Sequence, residues 1–174
     1  QLVDLKTQYQ KIENEVNEAV INVIKSTAFI NGPEVINFQS EFENYLDVKH
    51  VIPCANGTDA LQIALMALGL EPGDEVITPS FTYIATAEVI GLLRLTPVFV
   101  DVDPISYCVD PESVKAAISN KTKAIIPVHL YGHSAPMTEL LQISEEYNIP
   151  LLEDTAQAIG SDYIFSDGSR KKVG

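Results

Sequence analysis

Ile149-Pro150-Leu151-Leu152-Glu153-Asp154-Thr155-Ala156-Gln157 decides how the rest of the chain is read. Four residues without a polar side chain run straight into two acids. The run is short and apolar, as expected of a strand buried on both faces. An acid placed directly after such a strand is costly unless it meets a partner. The simplest partner is the start of the next helix, which an aspartate caps.

Four similar runs precede it. Strands are expected at Val51–Pro53, Glu75–Pro79, Pro97–Asp101 and Ala124–His129, with the fifth at Ile149–Glu153. Between them the spacing predicts helices at Thr58–Leu68, Tyr83–Leu93, Pro111–Ile118 and Met137–Tyr147. Apolar strands alternating with helices imply an α/β fold, a mostly parallel sheet with helices on both faces. Gly69 and the Pro72-Gly73-Asp74 turn close the first crossover. Upstream, Leu5, Tyr9, Ile12, Val16, Ala19, Val23 and Ile24 recur at helical spacing, so residues 7–26 read as an amphipathic helix. Thr27 to Pro33 is a break, and Glu34 to Tyr45 reads as a second helix. The expected division is a helical segment over 1–50 and an α/β domain over 51–174.

The chain has 174 residues, 46% hydrophobic and 20% charged, an ordinary globular balance. Its net charge of −13 repels nucleic acid and anionic membrane, so neither is an expected partner. No apolar run is long enough for a membrane span, and Gln1 to Lys6 lacks the pattern of a secretion signal. The expected location is the cytoplasm. Two cysteines, Cys54 and Cys108, read as packed thiols, and the three histidines lack metal-ligand spacing. No metal is expected.

In a parallel sheet, ligands bind beyond the carboxyl ends of the strands. Three polar groups there carry the chemistry. Ala55-Asn56-Gly57-Thr58-Asp59 leads into a helix, where free amides favour a phosphate, though an ordinary capped helix explains it equally well. No Walker or dinucleotide glycine pattern is present. Thr78 to Thr86 also leaves a strand for a helix. Phe81 and Tyr83 are both placed to stack on a flat ring, or to pack on the core. The third group is the opening stretch. Besides capping a helix, Asp154 could pair with a protonated pyridine nitrogen, with Gln157 bonding a ring oxygen. Asp101 and Asp103 alternate before Pro104, which favours a turn, with Asp101 a candidate for lining the site. His129 suits either a substrate or cofactor contact or a satisfied structural role.

Taken together, Asn31-Gly32-Pro33, Cys54 to Leu61, Gly73 to Thr86, Pro97 to Asp103, Pro127 to Gly132 and Glu153 to Gly160 resemble the DegT/DnrJ/EryC1/StrS family of sugar aminotransferases. The resemblance implies the large domain of a fold-type I transferase that uses pyridoxal 5′-phosphate (PLP). It implies that Gly57, Thr58 and Asp59 bind the cofactor phosphate. It assigns Tyr83, rather than Phe81, to the ring face, Asp154 to the ring nitrogen and Gln157 to the ring hydroxyl. It further implies glutamate as amino donor, a nucleotide-linked keto sugar as acceptor, and a homodimer. The wording of Cys54 to Leu61 and Thr78 to Glu88 is similar to the branch acting on UDP-N-acetyl-3-oxo-glucuronate, which serves cell-surface polysaccharide and lipopolysaccharide synthesis.

The family's Schiff-base lysine, in a Ser-Phe-x-x-x-Lys type motif downstream of Asp154, has no counterpart here. Lys171 and Lys172 lie in a polar, turn-like stretch and read as surface charges. The expectation is a truncated chain that is inactive alone and exposes apolar surface. The alternatives are a PLP-dependent sugar dehydratase, in which histidine replaces that lysine, and a non-catalytic regulatory or binding domain on the same scaffold.

Overall fold

The computed structural model describes residues 3–174. They form two compact units, which divide after Pro53.

The first unit is helical. α1 (Leu5–Ser26) starts at Asp4, whose carboxylate accepts from the Thr7 amide. It ends at Thr27, which adopts the left-handed conformation that stops a helix. α2 (Pro33–Leu46) has proline in its first turn, where no amide is needed. The apolar residues of α1 gather on it without burial: Leu5, Ile12, Val20, Ile21 and Ile24 are all exposed. The stretch Val51–Pro53 is not a strand. The backbone of Val51 is bonded by side chains instead. The Val51 N–H donates to Glu43 and its carbonyl accepts from Gln39.

The second unit carries the sheet. α3 (Gly57–Ala67) precedes β1 (Glu75–Pro79). α4 (Ala85–Leu92), β2 (Thr96–Val100), α5 (Pro111–Ala117), β3 (Thr122–Ile125) and α6 (Met137–Tyr147) follow. The strands are parallel in the order β2-β1-β3. Alternation along them builds two cores. Ile77 and Ile125 face one side, with Val114 of α5 and Leu140 and Ile143 of α6. Val76 and Ala124 face the other, with Leu61 and Leu65 of α3 and Val89 and Ile90 of α4. Each fully buried aliphatic side chain contributes roughly 1.5–3 kcal/mol, which fixes the register against a one-residue slip.

The run at residues 149–154 joins the far side of β3 through bridges at Leu151 and Asp154 rather than as a full strand. Pro150 lacks an N–H for the ladder. The neighbouring bonds still run as a parallel ladder, with Leu152 donating to Ile125 and Asp154 donating to Pro127. Leu151 packs on one core and Leu152 on the other. The segment is therefore extended, with its carboxyl end at Asp154.

Residues 170–172 are also not a turn. β4 (Asp162–Ile164) and β5 (Arg170–Lys172) form an antiparallel hairpin whose tip carries Gly168 at φ +83°. Lys172 lies 3.5 Å from Asp162 across it. No helix among the described residues is long and apolar enough to cross a membrane.

Candidate functional site

A cavity of about 430 Å³ opens beyond the carboxyl ends of β1, β3 and the 149–154 segment. It is lined by the start of α3, the entry to α4, Val128, Glu153 to Gln157, and Ile159. Asp154 and Thr86 lie on its floor.

Asp154 is nearly buried, at 9% exposure. One carboxylate oxygen accepts the Thr86 hydroxyl at 2.8 Å, and the other accepts the Ala156 amide at 3.2 Å. Its backbone is held twice, by donating to Pro127 and accepting from His129. The acid therefore closes a local turn and faces a cavity at once. Thr86 was not legible as a site residue, because 68 positions separate it from Asp154.

Gln157 is held by a contact that no sequence pattern announces. Its side-chain oxygen accepts the amide of Tyr131 at 2.9 Å, and Tyr131 sits at φ 54° in the left-handed region. With that oxygen engaged, the NH₂ of Gln157 is the group left to donate.

At the start of α3, Asn56 is the cap. Its side-chain oxygen accepts the Asp59 amide at 2.9 Å, and its NH₂ donates to the Asp59 carboxylate. Asp59 is thus spent on the cap and does not line the cavity. Gly57 and Thr58 do line it, and amides in a first helical turn have no intrahelical acceptor. A Cβ built on Gly57 meets no protein atom within 4 Å. Gly57→Ala is therefore expected to leave thermal stability unchanged or slightly raised, since alanine is the better helix former. Affinity for a phosphate-bearing ligand should fall about tenfold, a cost of about 1.4 kcal/mol. Paired melting and titration experiments check both halves.

The structure separates the two aromatics. Tyr83 lines the cavity and is 70% exposed. Phe81 turns away, with its ring 5.7 Å from that of Tyr107.

His129 and Asp101 lie outside the cavity lining. His129 is completely buried; its Nδ1 accepts the Ala135 amide at 2.9 Å and its Nε2 meets Glu153 at 2.9 Å. Nδ1 is an acceptor, so Nε2 carries the proton and donates to the carboxylate. Burial pushes the Glu153 carboxyl up, but the hydrogen bond from His129, with that from the Gly174 amide, outweighs it and holds the group below its ordinary value. Asp101 directly follows β2, on the opposite edge of the sheet from Asp154. Its carboxylate accepts the amide of Val102. Asp103 accepts the amides of Ile105 and Ser106, which is turn chemistry.

The cavity lining contains two carboxylates and neither lysine nor arginine. Any anion must be held by amides and hydroxyls. A fixed carboxylate on the floor, a helix start at one wall and an exposed aromatic ring at the mouth thus share one cavity at the carboxyl end of a parallel α/β sheet. The chain belongs to the DegT/DnrJ/EryC1/StrS aminotransferase family, whose model matches residues 10–174. It is 47% identical over 163 residues to the UDP-2-acetamido-2-deoxy-3-oxo-D-glucuronate aminotransferase of Pseudomonas aeruginosa, covering 94% of this chain and 45% of that protein. A family aminotransferase from Brucella abortus superposes with a TM-score of 0.89 at 47% identity, over 92% of this chain and 45% of the other. NtdA of Bacillus subtilis, solved with bound cofactor PMP, gives a TM-score of 0.82 at 38% identity, over 87% and 34%. The chain thus spans about half the length of the relatives it matches, or less.

Proposed function

We propose that this chain is the cofactor-binding part of a PLP-dependent aminotransferase that acts on a keto group of a nucleotide-linked sugar, with glutamate as amino donor. The observation that carries it is the Thr86-bound carboxylate of Asp154 on the floor of a cavity walled by a helix start. The residues fit the cofactor. The amides of Gly57 and Thr58, with the Thr58 hydroxyl, would hold the phosphate. Tyr83 would cover the ring, Asp154 would meet the ring N–H, and the free NH₂ of Gln157 would donate to the ring oxygen. Asp59 acts through Asn56 by closing the cap. When bound, PLP supplies an electron-withdrawing protonated pyridine that stabilises negative charge on the adjacent carbon. The protein's part is to hold that ring protonated, flat and screened from water.

No lysine lines the cavity. We place the anchoring lysine, and with it catalysis, in sequence beyond this chain. The Pseudomonas aeruginosa relative supports a UDP-linked 3-keto N-acetyl sugar or uronate as substrate. Such a product fits cell-surface polysaccharide synthesis, lipopolysaccharide included. We further propose a cytoplasmic homodimer. The exposed apolar residues of α1 and the unpaired thiols of Cys54 and Cys108 support it.

The test uses the whole protein. Added PLP should give a visible absorbance band, which glutamate bleaches and a UDP-3-keto sugar restores. A band that ignores glutamate, or none at all, overturns the reading.

A further inference from the structure

We propose that Thr86 is a positioning residue for Asp154, setting which way the acid faces in the cavity. The inference rests on the cavity being the PLP site.

The backbone of Asp154 is already fixed by the ladder to Pro127 and His129. What remains free is the rotation of its side chain. The Ala156 amide restrains one oxygen from within the local turn, and such Asx contacts form wherever an aspartate enters a turn. The Thr86 hydroxyl restrains the other from a different element, at 2.8 Å and with Thr86 fully buried. A helical threonine hydroxyl ordinarily returns to a carbonyl one turn back. Here it crosses to the end of the 149–154 segment.

The same turn of α4 also holds the backbone of Tyr83. The Thr86 amide donates to the carbonyl of Tyr83 at 3.4 Å. Tyr83 and Asp154 come from distant parts of the sequence, yet both are referred to one helical turn. Thr86 thereby ties the acid to the segment that carries Tyr83. A carboxylate turned away from a ring N–H would make a poorer bond to it, since hydrogen bonds weaken as the donor angle closes.

A double-mutant cycle on the protein titrated with PLP tests this. Thr86→Val keeps the branched shape and removes the hydroxyl. It should raise the PLP dissociation constant about tenfold, as expected for a lost hydrogen bond to a charged group. It should also move the ¹⁵N resonance of the bound ring nitrogen. In an Asp154→Ala background, which offers Thr86 no acceptor, the same change should cost less than about twofold, because Thr86 acts through the acid. Thr86→Ser should bind like the parent. An equal loss in both backgrounds would mean a purely structural threonine and would overturn the proposal. So would an unchanged affinity and ¹⁵N shift in Thr86→Val. Should the valine variant fail to fold, Thr86→Ser and Thr86→Ala differ only in the hydroxyl, and equal affinities for that pair overturn it as well. If the parent protein binds no PLP, the cofactor reading fails instead.

Discussion

Asp154→Asn is expected to lower glutamate-dependent amino transfer by the whole protein by about 10²–10³-fold while leaving the fold intact. The carboxylate is nearly buried and sits on the cavity floor, so its charge is not replaced by solvent. Truncating one member of a desolvated, hydrogen-bonded charge pair costs about 2–5 kcal/mol. Most of that loss should appear in the rate, because the pair matters most when negative charge develops next to the ring. Asparagine keeps an acceptor for Thr86 or for the Ala156 amide, so folding should lose only about 1 kcal/mol. For a chain of this size that is roughly 2–4 °C in melting temperature. Steady-state rates with a UDP-3-keto sugar, beside a thermal melt, separate the two effects. Parental activity in Asp154→Asn would remove this residue from the site.

His129→Ala is expected to have the opposite profile, a large loss of stability. The ring is fully buried and both nitrogens are engaged. Alanine would leave a cavity, an unpaired Ala135 amide and a half-buried Glu153 carboxylate without its donor. The sum is about 3–5 kcal/mol, or of order 10 °C in melting temperature. Chemical denaturation should also reveal the partner. Glu153 is held below its ordinary value of 4.5 in the folded chain. A depressed carboxyl contributes stability above the unfolded value and loses it as pH falls through the folded one. The stability gap between the parent and Glu153→Gln should therefore be full at pH 7 and shrink as pH falls below the ordinary value of 4.5. A gap independent of pH would exclude an ionised Glu153 as the partner of the His129 N–H.

His129 also marks what the sequence left open. Its position after β3 suited a ligand contact or a structural role, and only the Ala135 and Glu153 contacts separate the two. Phe81 and Tyr83 behave alike in this respect. They lie two positions apart in the same turn, and the Tyr107 ring that takes Phe81 away comes from a distant loop. At Asp59 the resemblance implied a phosphate contact, while the Asn56 cap engages both its amide and its carboxylate. The strand at Val51–Pro53 failed for a related reason. Its composition was β-like, but Gln39 and Glu43 bond its backbone.

By itself the sequence determined the α/β alternation, the parallel sheet and the polar groups at its carboxyl ends. Periodicity and strand-end chemistry are local, so they can be read from neighbours in the chain. The tertiary structure alone decided which of those groups share a cavity. The strand order puts β2 and Asp101 on the far edge from Asp154. It also brings Thr86 across 68 positions to the acid, and Tyr131 to Gln157. Those contacts are set by how strands pair and helices pack, and no spacing within a single element encodes them.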